Sequence, residues 1–181
     1  PGPRQRRSGH RVTAASTLAG AVRRGELSAG ETVAQALDRI DAANGTLNAF
    51  TAVVADRARS RAAALDRRLA AGEDPGPLAG VPFAVKNLFD VAGLTTTAGS
   101  LINRDLPAAA QDAVLVRRLE AAGAVLVGSL HMGEYAYDFT GENVHDGPCR
   151  NPHDPERMTG GSSSGAGAAV GGGLVPIALG S

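Results

Sequence analysis

The sequence Gly80-Val-Pro-Phe-Ala-Val-Lys86 places a lysine directly after a short apolar run. Such a run predicts a buried strand, and Pro82, which has no amide hydrogen to donate, must lie on an edge strand or at the start of a strand. Lys86 is the only lysine in the chain, since arginine fills every other basic position. This exception makes Lys86 the first candidate for a functional residue.

Lys86 can act as a general base only if its charged form is strongly destabilised. Its pKa must fall from about 10.4 to near 7, which requires roughly 4–5 kcal/mol. Burial between apolar strands can supply this free energy, and the neighbours Leu88 and Phe89 extend the apolar surroundings. Arginine could not replace it, because a guanidinium keeps its proton. The alternative interpretation is an ordinary strand-end lysine whose ammonium reaches solvent.

Short apolar runs alternate with helical segments after the break at Glu73–Pro77, which is typical of an α/β fold with a buried sheet. In the helix predicted over 112–122, Val114, Leu115 and Leu119 are expected to form the apolar side. A capping-box pattern, Ser28-Ala-Gly-Glu31, opens another helix. The predicted helices cover 17–24, 28–45, 55–71, 112–122 and 166–172; the predicted strands cover 50–54, 81–85, 124–127 and 174–179; residues 132–139 are expected to be helical or irregular, and residues 140–159 to form a long polar loop.

The composition excludes several classes of protein. The chain has 181 residues, 43% of them hydrophobic, and a net charge of +0, so no global field attracts nucleic acid or an anionic membrane. No apolar run approaches the roughly 20 residues of a membrane-spanning helix, and no signal peptide is recognisable. Cys149, the single cysteine, cannot form an internal disulfide. We therefore expect a cytoplasmic protein that acts on small molecules, with no nucleic-acid partner and no membrane partner.

The two ends of the chain indicate a segment of a longer polypeptide. The sequence begins with Pro1 rather than Met and stops at Ser181 inside an apolar run. Residues 1–11 are polar and are expected to form a flexible N-terminal arm.

The glycine- and serine-rich segment Gly160–Gly173 allows several interpretations. A flexible linker is disfavoured because apolar segments follow at once. A dinucleotide-binding loop is disfavoured because Val170 stands at the position of its third glycine, and a nucleophile elbow because the matching Gly161–Gly165 follows a polar segment instead of a strand. A phosphate- or nucleotide-binding loop lacks the Gly-Lys-Ser/Thr ending. It stays open as the alternative from a different functional class.

Several segments in the last part of the chain resemble the landmarks of the amidase signature family, in the same order. They are Gly80–Lys86, Thr96-Thr-Ala-Gly-Ser100, Arg118–Gly128, Gly160-Gly-Ser-Ser163 and Gly173–Gly180. The resemblance implies an α/β/α sandwich around a mixed central sheet. It also implies amide hydrolysis by a Ser, cis-Ser, Lys triad with no metal and no cofactor. Residues 12–181 would then be the N-terminal portion of a single amidase domain that stops before the nucleophile.

The resemblance assigns roles by position. Lys86 is the base, and Ser162, the first serine of GGSS, is the cis-serine that relays the proton. Ser163 is a supporting hydrogen-bonding residue. Ala136 and Tyr137 fall in the segment that lines the acyl pocket, with ordinary packing as the alternative interpretation. The nucleophilic serine would follow a few residues beyond the end of the chain, so the last residue is not the nucleophile.

Within that family, the carboxybiuret hydrolase branch, which acts on small urea-like amides, is the most similar. The segments that resemble it are Asn87–Ser100, Glu134–Tyr137 and Arg150–Asp154. The next most similar branch is the glutaminase-type A subunit of the aminoacyl-tRNA amidotransferase. Both work with a small accessory subunit. The resemblance therefore implies a small amide substrate and, as partner, a small accessory protein subunit or a homodimer.

Three residues depart from the family pattern. Ser164 replaces the more usual glycine after GGSS, Asn87 stands where many members have Asp, and Asp138 stands where a small residue is common. These departures leave the chemistry of the pocket open.

His145, Cys149 and His153 are spaced like metal ligands. They lie in a polar loop with prolines and glycines and lack a fourth ligand of clear spacing, so no metal site is expected. His10 and His131 are expected to be surface or packing residues without a specific partner.

Overall fold

The computed structural model describes residues 14–181, so the predicted flexible arm at 1–11 lies outside the described residues. The helices are Ala15–Arg23 (α1), Ala29–Leu47 (α2), Ala55–Ala70 (α3), Val114–Ala121 (α4) and Ser164–Gly171 (α5). The strands are Phe50–Val53 (β1), Pro82–Lys86 (β2), Val125–Leu130 (β3), Glu142–Asn143 (β4), Gly147–Pro148 (β5) and Ile177–Leu179 (β6), and single 3₁₀ turns cover Leu101–Asn103 and Glu134–Ala136. Every predicted helix and strand is present and in the predicted order, and the short strands β4 and β5 occur in addition. Between residues 14 and 181, no helix combines the length and the apolar character needed to cross a membrane.

A mixed sheet forms the centre of the molecule, with the strand order β1-β3-β2-β6. The interior strand β2 is parallel to both β3 and β6, whereas β1 is antiparallel to β3. This is the mixed sheet that the resemblance implies. Pro82 is the first residue of β2, which is how an interior strand accommodates a residue that cannot donate a hydrogen bond.

Helices cover both faces of the sheet and form two apolar cores. On one face, α2, α3 and α5 pack around Ala84 and Val125. On the other face, α4 packs near Phe83 and Val85. Because side chains alternate along a strand, Lys86 follows Ala84 onto the face that carries α5.

The helix α2 begins at the predicted capping box. Ser28 Oγ accepts from the Glu31 amide at 3.0 Å, and the Glu31 carboxylate accepts from the Ser28 amide at 2.7 Å. Asp66 of α3 supplies a second cap, since its carboxylate accepts from the amides of Ala29 and Gly30. The start of α2 is thereby fixed to α3.

The segment between β3 and α5 is more ordered than a long polar loop. β4 and β5 form a two-stranded antiparallel hairpin, and Arg150 pairs with Met158 in an isolated bridge. The buried side-chain amide of Asn143 donates to the carbonyls of Gly99 and Met132. These bonds attach the segment to the backbone that follows β3 and to the connection between β2 and α4.

The predicted apolar side of α4 is wrong for two of its three residues. Val114 and Leu115 are 52% and 44% exposed, whereas Val116 is fully buried in the core and Leu119 packs at its edge. Three consecutive apolar residues carry no helical periodicity, so the sequence could not indicate which of them faces the sheet.

Val116→Ala should lower the free energy of unfolding by about 2 kcal/mol, because it removes two buried methyl groups and leaves a cavity. Val114→Ala on the same helix is the matched control and should change it by less than about 0.5 kcal/mol. Denaturant titration of both variants measures the difference. Equal losses in the two variants would contradict this orientation of α4.

Candidate active site

Lys86 ends β2, and its side chain is fully buried, with 0% exposure. Its Nζ donates to Ser162 Oγ at 2.7 Å and to Ser181 Oγ at 2.8 Å. The fold thus joins the predicted base to the predicted relay serine, which lie 76 positions apart in the sequence. The alternative of an ammonium that reaches solvent is contradicted by this burial.

The surroundings of Lys86 favour its neutral form. Burial lowers the pKa of the Lys86 amine below its ordinary value. Among residues 14–181, no carboxylate forms an ion pair with it. An ammonium here would lose its hydration without gaining an opposite charge. A neutral amine, by contrast, keeps a lone pair that can accept a proton.

Ser162 lies in the loop before α5, and the Gly161–Ser162 peptide bond is cis, as the resemblance implies. Two backbone hydrogen bonds hold the glycines of this loop. The Gly160 amide donates to the Thr140 carbonyl at 3.1 Å, and the Gly161 amide donates to the Phe139 carbonyl at 3.0 Å. The hydroxyl of Ser162 is therefore presented by a loop with a defined backbone.

The chain that leads into this loop differs from that of a nucleophile elbow or a phosphate-binding loop. Both motifs require a buried strand directly before the loop. Residues 151–163 form no strand, and Met158 makes only an isolated bridge. The Gly/Ser segment is instead organised around contacts with Lys86 and Ser181.

Ser163 supports Ser181. Its Oγ accepts from the Ser181 amide and donates to the Ser181 carbonyl, both at 3.1 Å. These bonds fix the backbone of a residue whose hydroxyl contacts Lys86. Sequence reasoning missed this contact, because it depends on the parallel pairing of β6 with β2.

His131 is fully buried, as expected of a packing residue, but it has two specific partners that the sequence did not indicate. Its Nε2 lies 2.8 Å from the Gly147 carbonyl and must donate there, because a carbonyl only accepts. In the neutral imidazole with its proton on Nε2, Nδ1, which lies 2.8 Å from Ser164 Oγ, accepts from the Ser164 hydroxyl. Ser164 thus ties the start of α5 to the end of β3. His10, for which the same was predicted, lies outside the described residues.

Asn87 fixes the backbone next to Lys86 and is only 6% exposed. Its side-chain amide donates to Thr51 Oγ1 at 3.2 Å and to Thr97 Oγ1 at 2.9 Å, while its Oδ1 accepts from the Thr97 amide at 3.2 Å. An ionised Asp could not donate either of the first two bonds. The Asn at this position therefore matches the hydroxyls that surround it.

Ala136 and Tyr137 belong to an unusual turn. Tyr135 and Ala136 have positive φ angles of 48° and 61°, and so does Ala98 at 49°, whose carbonyl accepts from the Tyr135 amide. Positive φ is rare for residues other than glycine and clusters at functional sites. Tyr137 is 93% exposed, which contradicts ordinary packing for it within the described part of the chain. The pocket-lining role of both residues stays a prediction.

The three spaced ligands His145, Cys149 and His153 do not converge. Within the range 14–181, no three His, Cys, Asp or Glu side chains come together as a metal ion would require. His145 Nε2 lies 3.1 Å from Glu134 Oε1. Burial raises the pKa of the Cys149 thiol to about 11, which disfavours the thiolate that binds metals.

The family model described as Amidase matches residues 31–181. The chain is 59% identical over 157 residues to AtzE of Pseudomonas sp. (strain ADP), a 1-carboxybiuret hydrolase subunit; the match covers 87% of this chain and 34% of that protein. It is 50% identical over 155 residues to the A subunit of the glutamyl-tRNA(Gln) amidotransferase of Anaeromyxobacter dehalogenans (strain 2CP-C), covering 85% of this chain and 31% of that protein. The chain spans about a third of the length of these curated relatives.

The fold also has a counterpart among solved structures. One, described as a vestigial protein complex that reveals the evolutionary origins of an s-triazine catabolic enzyme, matches with a TM-score of 0.92. The two chains are 54% identical, and the match covers 93% of this chain and 37% of the other.

Ser164→Ala should lower the free energy of unfolding by about 1–3 kcal/mol, because it leaves the buried Nδ1 of His131 without a donor. Ser60→Ala, at an exposed position in α3, is the control and should shift it by less than about 0.5 kcal/mol. Thermal and denaturant unfolding measure both. A Ser164→Ala variant as stable as the parent would show that the His131 contact contributes nothing.

Proposed function

This chain belongs to the amidase signature family, and on that premise we propose that the protein hydrolyses an amide bond of a small molecule through a serine-bound acyl intermediate. The observation that carries the proposal is the buried Lys86 amine, which lies 2.7 Å from the Ser162 hydroxyl. In this proposal residues 12–181 are the N-terminal portion of a single amidase domain. The attacking serine belongs to sequence that follows Ser181.

The proposed mechanism uses neutral Lys86 as the base. Lys86 accepts the proton of the Ser162 hydroxyl while Ser162 accepts the proton of the attacking serine, which adds to the amide carbonyl. The relay then runs in reverse and protonates the leaving nitrogen, so that ammonia or an amine departs. Water repeats the relay and releases the acid. No step is assigned to a metal or a cofactor.

Ser181 and Ser163 would orient the amine for this transfer. A neutral amine has two N–H groups and one lone pair. In that form one N–H can still donate to the Ser181 hydroxyl while the lone pair accepts from Ser162, which reverses the direction of the bond to Ser162. Ser163 fixes the backbone of Ser181 through two hydrogen bonds of 3.1 Å. Its proposed role is support, without direct participation in proton transfer.

The substrate we propose is a small urea-like amide. The 59% identical relative is named as part of a 1-carboxybiuret hydrolase, and Ala136 and Tyr137 are proposed to line the acyl pocket. A glutaminase-type activity is the second candidate, supported by the 50% identical amidotransferase relative. Ammonia release from 1-carboxybiuret and from glutamine, measured side by side, separates the two. Both relatives are named as subunits, which supports a small accessory protein, with a homodimer as the other arrangement.

Lys86→Arg in the full-length protein should lower kcat by at least about 10³-fold, because a guanidinium stays protonated and cannot accept from Ser162. Lys86→Ala should have the same effect. Ammonia release from 1-carboxybiuret measures turnover, and circular dichroism checks that the variants fold.

Arg59→Lys, on the exposed side of α3, is the control for a change between basic residues and should leave kcat unchanged. Turnover of Lys86→Ala within tenfold of the parent would defeat the proposed mechanism.

The pH dependence of kcat/KM should follow the Lys86 amine. The reaction needs the unprotonated form, so kcat/KM should fall as pH is lowered through the pKa of Lys86. Because burial lowers this pKa, the midpoint should lie below the value of about 10.4 for an exposed lysine. At a pH between the lowered pKa of Lys86 in the folded protein and its ordinary pKa in the unfolded chain, the unfolded chain binds more protons than the folded one. The free energy of unfolding should therefore rise with pH in this range. Lys86→Met should abolish that rise; a midpoint at or above 10.4 would contradict the shift.

A further inference from the structure

Asp138 builds a tight turn beside the Ser162 loop. Its Oδ1 accepts from the Thr140 amide at 2.9 Å and from the Thr140 hydroxyl at 2.7 Å, and its Oδ2 accepts from the Gly141 amide at 2.7 Å. The carboxylate therefore fixes the peptide units of residues 138–141.

The carbonyls of this turn are the groups that hold the Ser162 loop. The Phe139 carbonyl accepts from the Gly161 amide at 3.0 Å, and the Thr140 carbonyl accepts from the Gly160 amide at 3.1 Å. Ser162 follows Gly161 directly, so the place of its hydroxyl depends on these two bonds. A turn that loosened would release both of them.

Asp138 also fills the space between two glycines on either side of it. A Cβ built on Gly133 would lie 2.3 Å from Asp138 Cβ, and a Cβ built on Gly161 would lie 2.5 Å from Asp138 Oδ2. The Gly133 amide donates to the Ser162 carbonyl at 3.1 Å. Asp138 is thus wedged between the two segments that hold the backbone at 161 and 162.

The hydrogen bonds around the Asp138 carboxyl group favour its ionised form. Burial raises the pKa of its carboxyl, but the hydrogen bonds from Thr140 and Gly141 outweigh this effect and leave the pKa below its usual value. An ionised carboxylate only accepts, so both of its oxygens can serve the donors that converge on it. The amide of an Asn would turn one of those acceptors into a donor facing the Gly141 amide.

We propose that Asp138 is a positioning residue: by shaping the turn that binds residues 160 and 161, it keeps the Ser162 hydroxyl at hydrogen-bond distance from Lys86. The consequence for turnover rests on the proposed amide hydrolysis. The claim that Asp138 keeps the Ser162 hydroxyl close to Lys86 rests only on the contacts of the carboxylate, and it can be tested without an activity assay.

Asp138→Ala in the full-length protein removes the acceptors for all three donors. We expect kcat for 1-carboxybiuret to fall by about 10- to 100-fold, the effect of a small misplacement of a reacting group, while KM changes less than about threefold. Asp138→Asn keeps one acceptor oxygen, so its kcat should fall less than that of Asp138→Ala. A crystal structure of Asp138→Ala should show the Lys86 Nζ to Ser162 Oγ distance lengthened from 2.7 Å to beyond hydrogen-bond range.

Asp154→Ala is the matched control, because Asp154 also holds a turn: its carboxylate accepts from the Glu156 amide at 3.2 Å and from Arg157 Nε at 2.9 Å. This turn makes none of the bonds to residues 160 and 161, so kcat should stay within twofold of the parent. An Asp138→Ala variant that unfolds at lower temperature but keeps kcat would overturn the inference, as would an unchanged Lys86–Ser162 distance. If Lys86→Ala kept its turnover, the proposed mechanism would fail, and the Lys86–Ser162 distance in Asp138→Ala would still decide the structural claim.

Discussion

The burial of one amine that has no counter-ion among residues 14–181 is the constraint on which the rest of the site depends. Lys86 is fully buried at the end of an interior strand, where an ammonium would be expensive to hold. Two serine hydroxyls satisfy the amine without stabilising its charge as a carboxylate would. Both hydroxyls must therefore be brought to it from other elements, by the loop before α5 and by the chain that follows β6.

The glycines around this site matter more because they let backbone segments approach closely than because they are flexible. A Cβ on Gly165 would lie 2.4 Å from the Ala49 carbonyl and 2.5 Å from the His131 amide, so α5 can start against the end of β3 only without a side chain there. Gly161 is equally restricted by Asp138. Composition alone makes a Gly/Ser-rich segment resemble a linker, but the packing makes it one of the more constrained parts of the molecule.

The order of helices and strands, the mixed sheet and the pairing of Lys86 with Ser162 could be predicted, because short-range patterns and a family resemblance carry them. The partners of His131 and the contact of Ser181 with Lys86 could not, since both depend on which strands lie side by side. The prediction of which side of α4 faces the sheet was wrong for another reason, because an unbroken apolar run around Val116 has no periodicity to interpret.

The three residues that the sequence analysis interpreted as departures from the family pattern have a similar physical effect. Ser164 binds His131, Asn87 binds Thr51 and Thr97, and Asp138 binds the turn at 140–141. Glycine at 164 or a small apolar residue at 138 could make none of these side-chain bonds, and an ionised Asp at 87 could not donate to the two threonines. Each of these side chains makes hydrogen bonds that hold a segment carrying or flanking Lys86 or Ser162, while those two residues are unchanged. In this chain, side chains around Lys86 and Ser162 therefore supply the rigidity that the proposed proton transfer over 2.7 Å demands.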